Sequence, residues 1–222
     1  MELIRKNIQD VQQRIERACD RSHRSADEIT LVAVTKSVDA MSIESAYECG
    51  LRDFGENRVQ EAERKITELS ALRSQVTWHM IGHVQTNKVK PVIRFFDMIQ
   101  SVDSIKLATR LDSHLTEPLP VLVQVNISEE MTKGGFSRDQ VTGAVKEISG
   151  LPHLDVKGLM TIAPLTDNME EVRPIFRTLR KIRDELGLEH ISMGMSDDYE
   201  IAIEEGATIV RIGRAIFSER RN

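Results

Sequence analysis

Ile4, Ile8, Val11, Ile15 and Ala18 recur at steps of four and three, which places them on one face and predicts an amphipathic helix within 1–24. From Thr30 the pattern changes to short apolar runs alternating with longer helical ones. The short runs predict strands over 30–35, 52–55, 77–81, 97–102, 120–127, 154–160, 189–193 and 208–212. Helical patterns fill the gaps near 40–49, 57–72, 85–96, 103–115, 137–149, 168–186, 197–205 and 213–218. The clearest carries Val172, Ile175, Phe176, Leu179, Ile182 and Leu186 at three- and four-residue spacing, with Gly187 as a stop signal. Strict alternation argues for parallel strands joined by helical crossovers. Eight repeats suit a closed ring, so the expected fold is α/β, a single-domain (β/α)8 TIM barrel with an additional N-terminal helix. The whole of 1–222 is expected to be one domain, with the barrel over 30–217.

Composition narrows the function classes. A net charge of -5 gives no general attraction to a polyanion, and no basic cluster comes with interleaved aromatics, which argues against nucleic acid as a partner. No apolar run approaches the roughly 18 residues of a membrane span, and "MELIRKNIQD" turns polar at once. A cytoplasmic protein is expected. Cys19 and Cys49 form no CxxC pair and are expected to be free thiols.

In a barrel of this kind the chemistry gathers where the strands end. That rule collects Lys36, Glu56 and Asn57, His79 and Gly82, Ser101, Asn126, Met160 and Thr161, Gly194 to Ser196, and Arg211 with Gly213. Lys36 in "LVAVTKS" is either a solvated loop residue or an amine able to form an imine with an aldehyde. Gly213 in "VRIGRAIF" and Gly194 in "SMGMSDD" are either turn glycines or parts of two adjoining phosphate-holding turns. Ser196 is a hydroxyl for such a site or an N-cap before Asp197 and Asp198. Arg211 ends an apolar strand and points into the barrel mouth or into a salt bridge. Asn57 is a cap or a site residue, and His79 a ligand contact or a hydrogen-bonded packing residue. His79 and His83 lie four apart, but Gly82 and the strand-to-helix transition spoil the geometry of a helical metal pair.

Together "AVTKS", "FGENRVQEA", "WHMIGHVQTNK", "VNISEEMTKGGF", "GLMTIAP" and "SMGMSDDYEIAIEEGATIVRIGRAIF" resemble the pyridoxal phosphate homeostasis protein (YggS/PROSC) family. The resemblance runs in order from Val32 to Phe217. It implies a fold-type III barrel for pyridoxal 5'-phosphate (PLP), similar to the N-terminal domain of alanine racemase. It further implies that Lys36 carries PLP as a covalent aldimine, that Arg211 faces the pyridine nitrogen, and that Ser196, Gly213 and Arg214 bind the phosphate. Asn57 and His79 match positions near the cofactor. Ser218 departs from the glycine that many members carry after "AIF".

An arginine at the ring nitrogen makes a poorer electron sink than a carboxylate partner does. Only "ERRN" follows Ser218, so no second domain is expected to complete an active site. These points argue for PLP binding without turnover, and the resemblance implies a role in intracellular vitamin B6 homeostasis and amino acid balance, by holding or delivering the cofactor. PLP-dependent enzymes would be its recipients, and a monomer or weak dimer is expected. Two alternatives stand beside it: a PLP-dependent amino acid racemase, and a barrel aldolase using a lysine imine without cofactor.

Overall fold

The computed structural model describes residues 1–128, 130, 133–164, 166 and 168–218. Part of the "VNISEEMTKGGF" motif and the "ERRN" tail therefore lie outside the described residues. Eight parallel strands close into a barrel in sequence order: β1 (Thr30–Val34), β2 (Asp53–Glu56), β3 (Thr77–Met80), β4 (Met98–Val102), β5 (Leu119–Gln124), β6 (Leu154–Met160), β7 (His190–Ser192) and β8 (Ile209–Ile212). β7 is the shortest of the eight, at three residues.

Helix α1 (Glu2–Arg21) precedes the barrel, and α2 (Ala40–Glu48), α3 (Val59–Glu68), α4 (Val89–Phe95), α5 (Ile105–Asp112), α6 (Arg138–Ser149), α7 (Arg173–Glu185), α8 (Tyr199–Glu204) and α9 (Arg214–Phe217) follow the strands. Side chains stop and start them. Asp39 accepts the Ser42 N–H at 2.8 Å to cap α2, and Gly187 turns the chain beyond α7 at φ +64°. The pattern expected as one helix over 85–96 divides into a 3-10 turn, Thr86–Lys88, and α4. The strand expected over 120–127 ends at Gln124, because the chain folds back and Phe136 exchanges hydrogen bonds with Gln124 and Asn126.

Most buried apolar side chains lie between strands and helices, among them Phe54 and Trp78 with ring centroids 5.6 Å apart. A separate cluster of Val32, Leu122, Met160 and Ile209 fills the inside of the barrel. Because neighbours across parallel strands share a face, register carries this inner face around the ring. Val32 lies beside Asp53 and Arg211, Gly55 beside His79, His79 beside Met98, and Met160 beside Ser192. Polar residues thus face inward at several levels.

The expected helix within 1–24 is α1, whose buried stripe of Ile4, Ile8, Val11, Ile15 and Ala18 packs on α8 and α9. Asn7, on the same stripe, donates to Ile216 O at 3.0 Å and Ser218 O at 3.3 Å, satisfying carbonyls at the end of α9. Arg14 and Arg21 pair with Glu200 and Glu204 of α8 at the rim of this contact.

Candidate functional site

A cavity of about 890 Å3 opens at the C-terminal end of the barrel. Lys36, Asn57, Ser196, Arg211, Gly213 and Arg214, all singled out from sequence, line it together with Val34, Ile81, Met195 and Lys133. His79 does not line it. That side chain is 3 % exposed and lies inside the barrel, bonded to Asp53 at 2.9 Å and Gln100 at 3.0 Å.

The backbone around Lys36 is held from below. Lys65 of α3, 1 % exposed, donates from Nζ to Thr35 O at 2.6 Å, Glu56 Oε1 at 2.8 Å and Glu61 Oε1 at 2.6 Å. Glu56 Oε1 also accepts the Thr35 hydroxyl at 2.7 Å, and Glu61 accepts the Ser37 N–H at 2.6 Å. Ser37 has φ +61°, a conformation uncommon for a non-glycine residue, and the Glu61 bond holds it. Both neighbours of Lys36 are therefore tied to one ion cluster. Burial pushes the Glu56 carboxyl above its ordinary value despite the Lys65 and Thr35 bonds. Burial acts the same way on Glu61, but the Lys65 ammonium and the Ser37 N–H outweigh it and leave that carboxyl below its ordinary value.

Across the mouth, Ser196 is not the cap of α8. Asp198 occupies the N-cap position, and its Oδ1 accepts the Met195 N–H at 2.6 Å to close the turn. Ser196 Oγ instead accepts the Ala215 N–H at 3.4 Å, joining the turn after β7 to the one after β8. Gly194 is required at φ +92°, where a Cβ would lie 2.6 Å from that of Ala202. Gly213 lies against β1, where a Cβ would come within 3.2 Å of Val34 O. Arg214 pairs with Asp197 at the rim.

Asn57 is not a cap either, since Arg58 holds the N-cap position of α3. Among the described residues its buried Oδ1 has no hydrogen-bond partner. Gly82 packs on its backbone, with room for no Cβ, because that atom would lie 2.2 Å from Asn57 O. Arg211, 4 % exposed, donates to Ser192 Oγ at 2.5 Å and to Thr161 O at 2.7 Å. Burial pushes its guanidinium down to about 10, against the pull of the Asp198 carboxylate. Burial likewise raises the Asp198 carboxyl, opposed by the Met195 N–H and by Arg211.

Sequence reasoning missed Lys65, Gln100, Ser192 and Lys133. Lys65 had a signal: it shares the buried face of α3 with Val59, Ala62 and Ile66, where a lysine must have partners. Gln100 and Ser192 are polar residues on inward strand positions. Asn126, collected as a strand-end residue, bonds Glu130 O at 2.8 Å and the carbonyl of the cavity-lining Lys133 at 3.2 Å.

Closed parallel barrels with polar groups gathered at the strand exits form a broad class. Within it, the family model for the alanine racemase N-terminal domain matches residues 3–221. A protein of Aquifex aeolicus (strain VF5) named pyridoxal phosphate homeostasis protein is 43% identical over 220 residues, 95% of this chain and 96% of that one. The protein of the same name from Escherichia coli (strain K12) is 38% identical, covering 98% of this chain and 97% of its own. The structure of PipY from Synechococcus elongatus PCC7942 with PLP bound superposes with a TM-score of 0.81 at 36% identity, covering 92% of this chain and 100% of PipY. The chain belongs to the pyridoxal phosphate homeostasis protein family. Alanine racemase from Corynebacterium glutamicum, with a TM-score of 0.69 at 16% identity over 100% of this chain and 62% of its own, shares the fold.

Proposed function

We propose that this chain binds PLP in the barrel mouth and acts in intracellular vitamin B6 homeostasis and amino acid balance, holding or delivering the cofactor without turning over a substrate. The observation that carries this reading is the convergence of Lys36, Arg211, Ser196 and Gly213 on one cavity. An amine, a buried cation and a turn of hydroxyl and backbone N–H groups match a phosphorylated aldehyde. The unpartnered Asn57 Oδ1 adds a buried acceptor beside the cavity, and fits a donor on that ligand. PipY, a relative with 36% identity, holds PLP.

In this reading Lys36 holds PLP as a Schiff base, Arg211 faces the ring nitrogen, and Ser196, Gly213 and Arg214 hold the phosphate. Bound PLP supplies a ring able to withdraw electrons from an attached amine. An arginine only donates hydrogen bonds, so beside Arg211 the ring nitrogen stays an acceptor and withdraws less strongly. Among the described residues, the cavity wall carries the carboxylates of Glu130, which pairs with Lys133 at 2.9 Å, and Asp197, which pairs with Arg214. PLP-dependent enzymes are the proposed recipients and the cytoplasm the proposed compartment. Among the described residues no helix is long and apolar enough to cross a membrane.

The test is the visible spectrum of purified protein with PLP, before and after borohydride. The expected result is an imine band that reduction fixes onto Lys36, and its loss in Lys36→Ala. The same band in Lys36→Ala overturns the reading. Solvent deuterium entering an amino acid α-carbon in a Lys36-dependent way would establish the racemase alternative instead.

A further inference from the structure

Five side chains on the inner face of the barrel form an unbroken hydrogen-bonded chain. Arg211 Nη1 donates to Ser192 Oγ at 2.5 Å, and Ser192 Oγ donates to Gln100 Oε1 at 2.7 Å. Gln100 Nε2 lies 3.0 Å from His79 Nδ1, and His79 Nε2 lies 2.9 Å from Asp53 Oδ1. The chain joins β8, β7, β4, β3 and β2 across the barrel.

Its two ends dictate its direction. Arginine has donors only and an ionised carboxylate acceptors only. Ser192 Oγ accepts from Arg211, and its own proton is directed at Gln100 Oε1. That orients the Gln100 amide with its NH2 toward His79, whose Nδ1 must then accept. The imidazole proton is left on Nε2 and is donated to Asp53. Turning Gln100 over would set its oxygen against Nδ1, which a singly protonated ring donating from Nε2 cannot satisfy in a dry interior.

Depth makes the chain more than local packing. Gln100 and Ser192 are 0 % exposed and His79 2 %, whereas Asp53, the first residue of β2, keeps 28 % of its side chain in contact with solvent. The chain therefore runs from the cavity wall at Arg211 to the N-terminal end of the barrel.

We propose that Asp53, His79, Gln100 and Ser192 are positioning residues that lock Arg211 as a fixed donor toward the ring nitrogen of PLP, with His79 accepting from Gln100 at Nδ1 and donating from Nε2–H to Asp53. The part concerning the ring nitrogen rests on the reading given under Proposed function; the tautomer and the direction of the chain do not. It gives His79 a role without contact with the cofactor. The companion bond from Arg211 Nη2 to Thr161 O leaves the guanidinium two anchors, one of which belongs to the chain.

The test uses the whole protein, with and without PLP. Nitrogen-15 NMR of labelled histidine in the PLP-free protein at about pH 7 should show His79 as a single Nε2–H tautomer; an Nδ1–H tautomer, a doubly protonated ring, or averaging between states overturns the chain. Gln100→Glu presents an acceptor to Nδ1, so His79 should become doubly protonated at the same pH; an unchanged neutral signal overturns the proposed direction. Ser192→Ala cuts the link to Arg211 and should weaken PLP binding by about tenfold, the loss expected of one charge-assisted bond, while leaving the His79 tautomer in place. Unchanged affinity and an unchanged PLP band in Ser192→Ala overturn the coupling to the cofactor. If the wild-type protein forms no Lys36-linked band while His79 shows the stated tautomer, the functional reading fails and the chain stands.

Discussion

Lys65→Met removes the cation beneath Lys36 while keeping a side chain of similar length. Glu56, with a side chain 0 % exposed, then keeps only the Thr35 hydroxyl, and Thr35 O loses its ammonium donor. Breaking a buried pair by deleting one partner costs about 3–5 kcal/mol, because the remaining charge stays desolvated. Protonation of Glu56 relieves part of that cost. Burial already holds the Glu56 carboxyl above its ordinary value, so folding takes up a proton there. Its contribution is largest below the unfolded value and is lost as pH rises through the folded one. Without Lys65 that folded value rises further, and the penalty grows from pH 5 to pH 8. Glu61 acts in the same sense, since the low value it holds against burial depends on Lys65. That stabilisation is present above the unfolded value, is lost as pH falls, and in Lys65→Met is missing at high pH.

Urea unfolding followed by the fluorescence of Trp78, the single tryptophan, measures the difference. The expected loss is about 3–5 kcal/mol near pH 8 and clearly smaller near pH 5, with part recovered when Glu56→Gln is added. An equal loss at both pH values, or one below about 1 kcal/mol, would refute the reasoning. Lys65→Met should also slow imine formation at Lys36, because Thr35 and Ser37 are no longer tied to the same cluster.

Two further substitutions test how the mouth is supported. Asn7→Leu leaves the carbonyls of Ile216 and Ser218 without their α1 donor and should cost about 1–3 kcal/mol in thermal or urea unfolding; wild-type stability would mean that α1 is held by its apolar stripe alone. Gly82→Ala places a Cβ where Asn57 O lies 2.2 Å away, so Asn57 must move, and a PLP titration should show weaker binding; unaltered affinity would remove Asn57 from the site.

Much of this protein was legible locally. The step-four, step-three pattern of α1 and the β-α alternation follow from burial of one face of each element, which neighbouring residues report by themselves. Six of the seven residues expected around a cofactor line the cavity, since strand ends can be located from the runs that precede them. His79 could be placed on a strand but not at a depth. Ser196 read equally well as a cap, because Ser before two aspartates satisfies a helix N-terminus as readily as it reaches a neighbouring turn.

The sequence by itself determined which segments are strands and helices, where each strand delivers its last residues, and that Lys36 and Gly213 follow the first and eighth. Closure of the ring belongs to the tertiary structure. Only when β8 pairs with β1 does Arg211 lie beside Val32, and only inside the closed barrel does Ser192 meet Gln100, 92 positions away. Periodicity reports the face a residue uses. It carries no record of which distant polar group will satisfy that residue once water is excluded, and the closed barrel makes that choice for His79, Gln100, Ser192 and Arg211.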